Sequence, residues 1–277
     1  LHLWHGPIDL IVTAEGERDA AFRAASQRFT TILEELVAEL PRLRLPVTGK
    51  AFDGPVAKRM DRAVRPFRGV YVTPMAAVAG AVADEILAAM TTAAQLQRAA
   101  VNNGGDIAVH LAPGCRFDLA MASVTGLDLG RIGFGAGQGI GGVATSGRRG
   151  RSHSMGIADS VTVLAATAAA SDAAATLIAN AVDLPGHPAV SRAPANELDP
   201  DSDLGDRLVT TGLGPLRSDD VGRALDAGEA AAQEMLSQGL IHGAALFLGH
   251  SLRTLGAVPA PAAARSIGSS QKISTPG

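Results

Sequence analysis

The stretch AAVAGAVADEILAAM, residues 76 to 90, limits the fold more than any other segment. It reads as a helix, and its first two turns are almost entirely small residues. Such a face lets a neighbouring backbone approach closely and demands a shaped partner surface. The whole chain shares this character: aromatic residues make up 3% and hydrophobic residues 47%, with 32 glycines, so the core is assembled from small and aliphatic side chains. A length of 277 residues suits one large domain or two intimately packed halves.

On either side of that helix the pattern alternates between strand and helix. IDLIVT at 8 to 13 reads as a strand. Phe22, Ala25, Phe29, Ile32, Leu33, Leu36, Val37 and Leu40 recur at helical spacing, which predicts an amphipathic helix from Arg18 to Leu40, ended by Pro41. A shorter helix is expected at 55 to 65. In VNNGGDIAVHLAPG, 101 to 114, IAVHL reads as a strand, and NNGG supplies backbone that tolerates a tight turn or close approach to a ligand. Strand segments are expected around 116 to 130 and at 160 to 169, with a flexible turn over GFGAGQGIGG at 133 to 142. A helix follows at 171 to 182, with Ser171 as candidate cap. Residues 183 to 219, rich in Pro, Asp and Gly, read as an insertion or lid. A helix at 221 to 240 and a final strand near 241 to 248 complete the pattern, and the tail after Ala257 shows no core role. The two small-residue helices, 76 to 90 and 171 to 182, each carry an acid beside a strand with a polar turn, which hints at two related modules.

A net charge of -3 and a pI near 6.2 argue against nonspecific nucleic-acid binding. Cys115 is the only cysteine, which excludes an intrachain disulfide framework and makes a reduced cytoplasm the simplest setting. No uninterrupted apolar stretch near 20 residues suggests a membrane span.

Chemistry-bearing groups concentrate in four places. Asp172 and Thr176 lie four apart and share a helix face, offering hard oxygen donors suited to Mg; Asp172 equally suits the positive end of a helix. GGVATSGRRGRSHS places hydroxyls, Arg148, Arg149, Arg151 and His153 close together, either as a phosphate cradle or as a solvated basic loop. His153 is a candidate acid or base. Asp106, after Gly104 and Gly105, closes a pocket edge or bonds its own turn. Asp84 and Glu85 assist a site or face water. GFGAGQGIGG lacks both the Lys-Ser/Thr ending of a P-loop and a dinucleotide fingerprint.

Taken in order, VNNGGDI, VATSG, SVTVLA and SDAAATLIANAV resemble the ApbE superfamily of FAD- and Mg-dependent flavin transferases, which attach FMN to a protein threonine. Within it the chain is most similar to a bacterial and archaeal branch carrying TPMAAVAGAVADEI, VNNGGDIA and TSGRRGRSH; the resemblance covers roughly 5 to 255. It implies an α+β fold of two T-fold-like modules packed as one body over 1 to 256. It also implies metal ligation by Asp172, Thr176 and a backbone carbonyl near Ala76, with Asp106 beside the nucleotide. Asn102, Asn103, Gly104, Gly105, Thr145, Ser146, Gly147 and Arg149 are the expected cofactor contacts. The implied ligand is FAD or another phosphorylated flavin-, purine- or pterin-like ring, and the implied partners are a protein acceptor and a second copy of the chain, without nucleic acid or membrane. Two departures stand out. Ala79 occupies the place of the transferases' lysine, and after His153 the chain runs SMGIADS, without their Asp-Pro-x-Thr-Gly segment.

Overall fold

The structure is a computed structural model that describes residues 1–47, 49–122, 128–150 and 152–258. Its first half runs β1 (His2–His5), β2 (Ile8–Gly16), α1 (Arg18–Leu43), α2 (Pro55–Val64), α3 (Val78–Ala93), β3 (Leu96–Asn103) and β4 (Asp106–Leu111). A separate hairpin follows, β5 (Arg116–Ala122) with β6 (Asp128–Gly135). The second half restates the plan with β7 (Gly142–Ser146), β8 (Ser160–Ala165) and α4 (Ala168–Ala181). It continues through β9 (Val190–Pro194), α5 (Ala195–Leu198), β10 (Leu208–Leu213) and α6 (Ser218–Ser237) to β11 (Gly243–Leu248) and β12 (Ser251–Gly256). Each half thus gives two strands, helices, then two strands. The eight strands join in the order β1-β2-β3-β4-β7-β8-β11-β12, with antiparallel pairing throughout and β4 meeting β7 at the seam. This is the expected α+β body of two like modules.

Alternation along the strands decides the layers. In β2, Ile8, Leu10 and Val12 are buried while Asp9, Ile11 and Thr13 are exposed, so one face meets a core. That face packs against α1, α2 and α3 in the first half. In the second half, Ala144, Val161 and Val163 face α4 and α6. On the opposite face, Ile132 and Phe134 of β6 cover Ile107, Val109, Val143 and Leu164. The 3-10 turn Pro74–Ala77 and α3 form a 20-residue helical unit whose most apolar 18-residue window has a mean hydropathy of 1.4 and is half buried. Its length and composition would suffice for a membrane span, but Asp84 and Glu85 interrupt it and are held by backbone amides and arginines.

Several sequence expectations are corrected. Helix α1 passes Pro41 and ends at Leu43, because a proline in the last turn removes only its own amide while Arg44 N–H still reaches Leu40 O at 3.1 Å. Helix α4 starts at Ala168, so the preceding strand stops at Ala165. Its cap is Thr167, whose hydroxyl accepts Ala170 N–H at 3.2 Å; Ser171 is buried and donates to Thr167 O at 3.1 Å. The edge strands β1 and β12 were not expected, and the 183 to 219 stretch contains the β9–β10 sheet. Val258, placed in the tail by its sequence, is buried with Ile132 and Phe134; residues 259–277 lie outside the described residues. The hint of two modules was correct, but its pairing was not. Helix α3 precedes the second strand pair of its half, whereas α4 follows the first pair of its own, so the two small-residue helices are neighbours rather than equivalents.

Candidate functional site

Helices α3 and α4 meet at their first turns with almost no side chain between them. A Cβ on Gly80 would lie 2.3 Å from Ala168 O. The contact is locked by two carboxylates working in opposite directions. Asp172 Oδ2 of α4 accepts Gly80 N–H at 3.0 Å, and Asp84 of α3 accepts Ala168 N–H at 3.0 Å and Ala169 N–H at 2.9 Å. Each helix therefore supplies the acid for amides at the other's start, where unsatisfied donors and the positive dipole end favour negative charge.

The β3–β4 hairpin brings the polar motif to the same place. Gly104 and Gly105, with φ of 68° and 116°, form the turn between the paired Asn103 and Asp106. Asn102 Oδ1 accepts Gly105 N–H at 2.8 Å and closes that turn. Strand alternation puts Asn103 and Asp106 on the helix side, with Val101 and Ala108, and Asn102 on the other. Buried Asn103 donates from Nδ2 to Ala79 O at 3.1 Å. Burial pushes the Asp172 carboxyl well above the ordinary range; the nearby Asp106 charge adds to this, and the amides of Gly80 and Ala79 oppose it. Two carboxyls from different halves thus share one neighbourhood at the start of α3. Thr176 lies one turn beyond Asp172, half-buried, and Ala76 sits in the 3-10 turn against which α4 packs.

The TSG segment divides between the two faces. Ser146 shares the helix side with Ala144, whereas the Thr145 hydroxyl lies 2.9 Å from that of Thr162 on the opposite side. Gly147 is buried at φ 143°, where a Cβ would come 2.7 Å from Asp159 O. Two of the arginines are tied to one carboxylate, although Arg149 stays exposed. Arg148 and Arg149 both bond Asp159 Oδ1, at 2.6 and 2.8 Å, while Asp159 Oδ2 accepts Gly249 N–H at 2.7 Å. His153 is exposed in the β7–β8 loop. Arg151 lies outside the described residues.

Residues that the motifs did not indicate hold the segments that lead to and from these motifs. Arg192 of β9 bonds Met155 O and Asp183, and Thr210 N–H of β10 donates to Ser154 O at 2.8 Å, so the small sheet holds the loop after His153. In the loop between α5 and β10, Asp203 accepts the Thr73 hydroxyl with its carboxylate and the Tyr71 hydroxyl with its carbonyl, the latter at 2.6 Å. Thr73 caps the turn carrying Ala76. No sequence signal links Asp203 to Thr73 across 130 residues.

Burial also raises the Asp84 carboxyl, against the pull of its two amides and Arg59. Between the ordinary carboxylate range, near pH 4, and this raised value, the native state holds a proton that the unfolded state has released. Stability from this group is therefore present at low pH and lost as pH rises through that window. Glu35 and Glu85, held low by Arg28 and by Arg28 with Arg59, act in the opposite sense. The difference in urea stability between parent and Asp84→Asn, followed from pH 4 to 8, isolates Asp84: the parent is expected to lose ground against the variant as pH rises. A constant difference contradicts the assignment.

The family model described as "AbpE bacteria" matches residues 1–257. A UPF0280 protein of Methanopyrus kandleri is 37% identical over 177 residues, covering 62% of this chain and 69% of its own. A UPF0280 protein of Methanothrix thermoacetophila is 35% identical over 185 residues, 64% of this chain and 75% of its own. Among solved structures, an ApbE protein of Thermotoga maritima aligns with a TM-score of 0.41 at 14% identity, covering 85% of this chain and 72% of that one. The apo flavinyl transferase ApbE of Pseudomonas stutzeri aligns with a TM-score of 0.35 at 13% identity, covering 88% and 74%.

Proposed function

From the premise that the chain belongs to the AbpE bacteria family, we propose that it acts with Mg on a phosphorylated heteroaromatic cofactor of the flavin class, at the meeting point of α3, α4 and the β3–β4 turn. The observation that carries this reading is the convergence of Asp172 and Asp106, one from each half, at the amide-rich start of α3.

The donor chemistry fits a hard cation. Asp172, the Thr176 hydroxyl and the Ala76 carbonyl are oxygen donors of the kind Mg takes, and a cation would offset the crowding of Asp172 by Asp106. Among the described residues no cluster of three or more His, Cys, Asp or Glu side chains forms, so ligand phosphates and water would complete such a site. When bound, Mg would neutralise charge on a pyrophosphate. The chain's own groups do the rest. Asn103 fixes the backbone at Ala79, Asp106 orients the nucleotide from the hairpin, and Ser146 faces the same side. In the transfer reaction, an acceptor hydroxyl oxygen bonds the flavin-side phosphorus of FAD. The P–O bond to the adenylate breaks, AMP leaves, and the hydroxyl proton passes to a base, for which exposed His153 is the candidate.

Two local facts support the reading that this chain is not an efficient transferase. At position 79 a methyl group stands where the transferases' lysine is expected, and its backbone is already committed to Asn103 and Asp172. The loop after His153 is tied down by Arg192 and Thr210. Loss of a charged hydrogen bond to phosphate costs about 2 kcal/mol or more, so adduct formation roughly 30-fold or more below an active transferase is expected. Incubation with Mg, FAD and a flavin-acceptor domain, read by mass, measures it. Rapid stoichiometric FMN transfer would restore the transferase reading; saturable FAD binding without turnover would favour a cofactor-holding or assembly role.

A further inference from the structure

Helix α2 and the 3-10 turn that follows it carry a row of cations that the proposed site does not use. Lys58, Arg62 and Arg68 are exposed and have no ion-pair partner among the described residues, whereas Arg65 is paired with Asp61. Arg59 is held in place by Nε at 2.8 Å from Glu85, which also binds Arg28. Between this helix and the first turn of α4 lies a cleft of about 210 Å³, whose lining includes Arg59, Arg62, Phe67, Ala170, Leu240 and Asp84, the last with both carboxylate oxygens already taken by backbone amides. The start of α4 supplies little here, because Asp84 and the Thr167 hydroxyl already take the amides of Ala168, Ala169 and Ala170. The positive charge open to a ligand is therefore that of the arginines. Ala170 and Asp172 are two apart on α4 and point to opposite sides, which separates the cleft from the candidate Mg site.

We propose that this cleft is a second binding site, for a small aryl phosphate: a single anionic group bonded by Arg62 and the terminal nitrogens of Arg59, with a ring against Phe67 and Leu240. Its volume, below the roughly 300 Å³ at which sites for drug-sized ligands begin, suits a small ligand. Guanidinium forks suit phosphate oxygens, and the apolar wall favours a ring over bare inorganic phosphate.

Calorimetry on the full chain with phenyl phosphate, without Mg, tests the assignment. Saturable binding is expected, with inorganic phosphate at least about tenfold weaker. Arg62→Ala, at an exposed position whose loss leaves the fold intact, is expected to weaken phenyl phosphate roughly tenfold. Ala170→Phe, which fills the cleft, is expected to remove binding, and Asp172→Asn to leave it unchanged. Absence of saturable binding, equal affinity for inorganic phosphate, or insensitivity to Arg62→Ala overturns the proposal. So does loss in Asp172→Asn, which would place the ligand at the other site.

Discussion

Gly80→Ala is expected to cost about 4 kcal/mol or more, a large part of the roughly 5–15 kcal/mol that holds a typical domain folded. The added methyl would meet Ala168 O at 2.3 Å, Ala168 C at 2.4 Å and Ala169 N at 2.7 Å, all backbone atoms that cannot rotate away. Relief requires α3 and α4 to separate, and separation breaks the bonds of Asp172 to Gly80 and of Asp84 to Ala168 and Ala169. Gly222→Ala is the control: this glycine sits within α6 with nothing within 4 Å of the added atom, and the change is expected to stabilise by about 0.5 kcal/mol or more. Urea unfolding of the two variants settles the matter, and a Gly80→Ala protein as stable as its parent contradicts the close contact.

The second large effect concerns Asp172 and separates stability from binding. Asp172→Asn keeps an oxygen that can accept Gly80 N–H while removing a charge that burial and Asp106 disfavour. The variant is therefore expected to be at least as stable as its parent at pH 7 in the absence of ligand. Its Mg-dependent affinity for FAD is expected to fall by about 100-fold, because an anionic donor to a hard cation has been lost. Measured together, thermal unfolding without ligand and FAD titration with and without Mg should move in opposite directions, as is common where a functional site is held against its own stability. Destabilisation with unchanged FAD binding would make Asp172 only a helix cap.

Much of this site could be read from the chain because its signals are local. The two glycines of NNGGD give a tight turn wherever they occur, and Asp172 and Thr176 share a face by helical spacing alone. The edge strand β1 was missed because four residues, HLWH, carry too little alternation to register. The start of α4 was misplaced because Thr167 and Ser171 are both plausible caps, and only the position of Asp84 on another helix decides between them. The pairing of Arg148 and Arg149 with Asp159 could not be read from the chain, because Asp159 lies beyond a loop and has no spacing relation to them. Asp203 and Arg192 were beyond sequence reasoning for the same reason: their roles exist only when distant segments meet.

The exchange of carboxylates between α3 and α4 also bears on how the chain can come apart. A first half separated from the second would retain Asp84 with no amides to receive it, and the start of α3 would lose the acid that Asp172 brings. The second half would have the mirror deficit. Although each half has its own strand and helix complement, neither is a self-sufficient unit, and opening the seam between them exposes polar groups on both sides at once. The two modules are thereby expected to unfold in a single cooperative transition, in which the first to loosen takes the other with it.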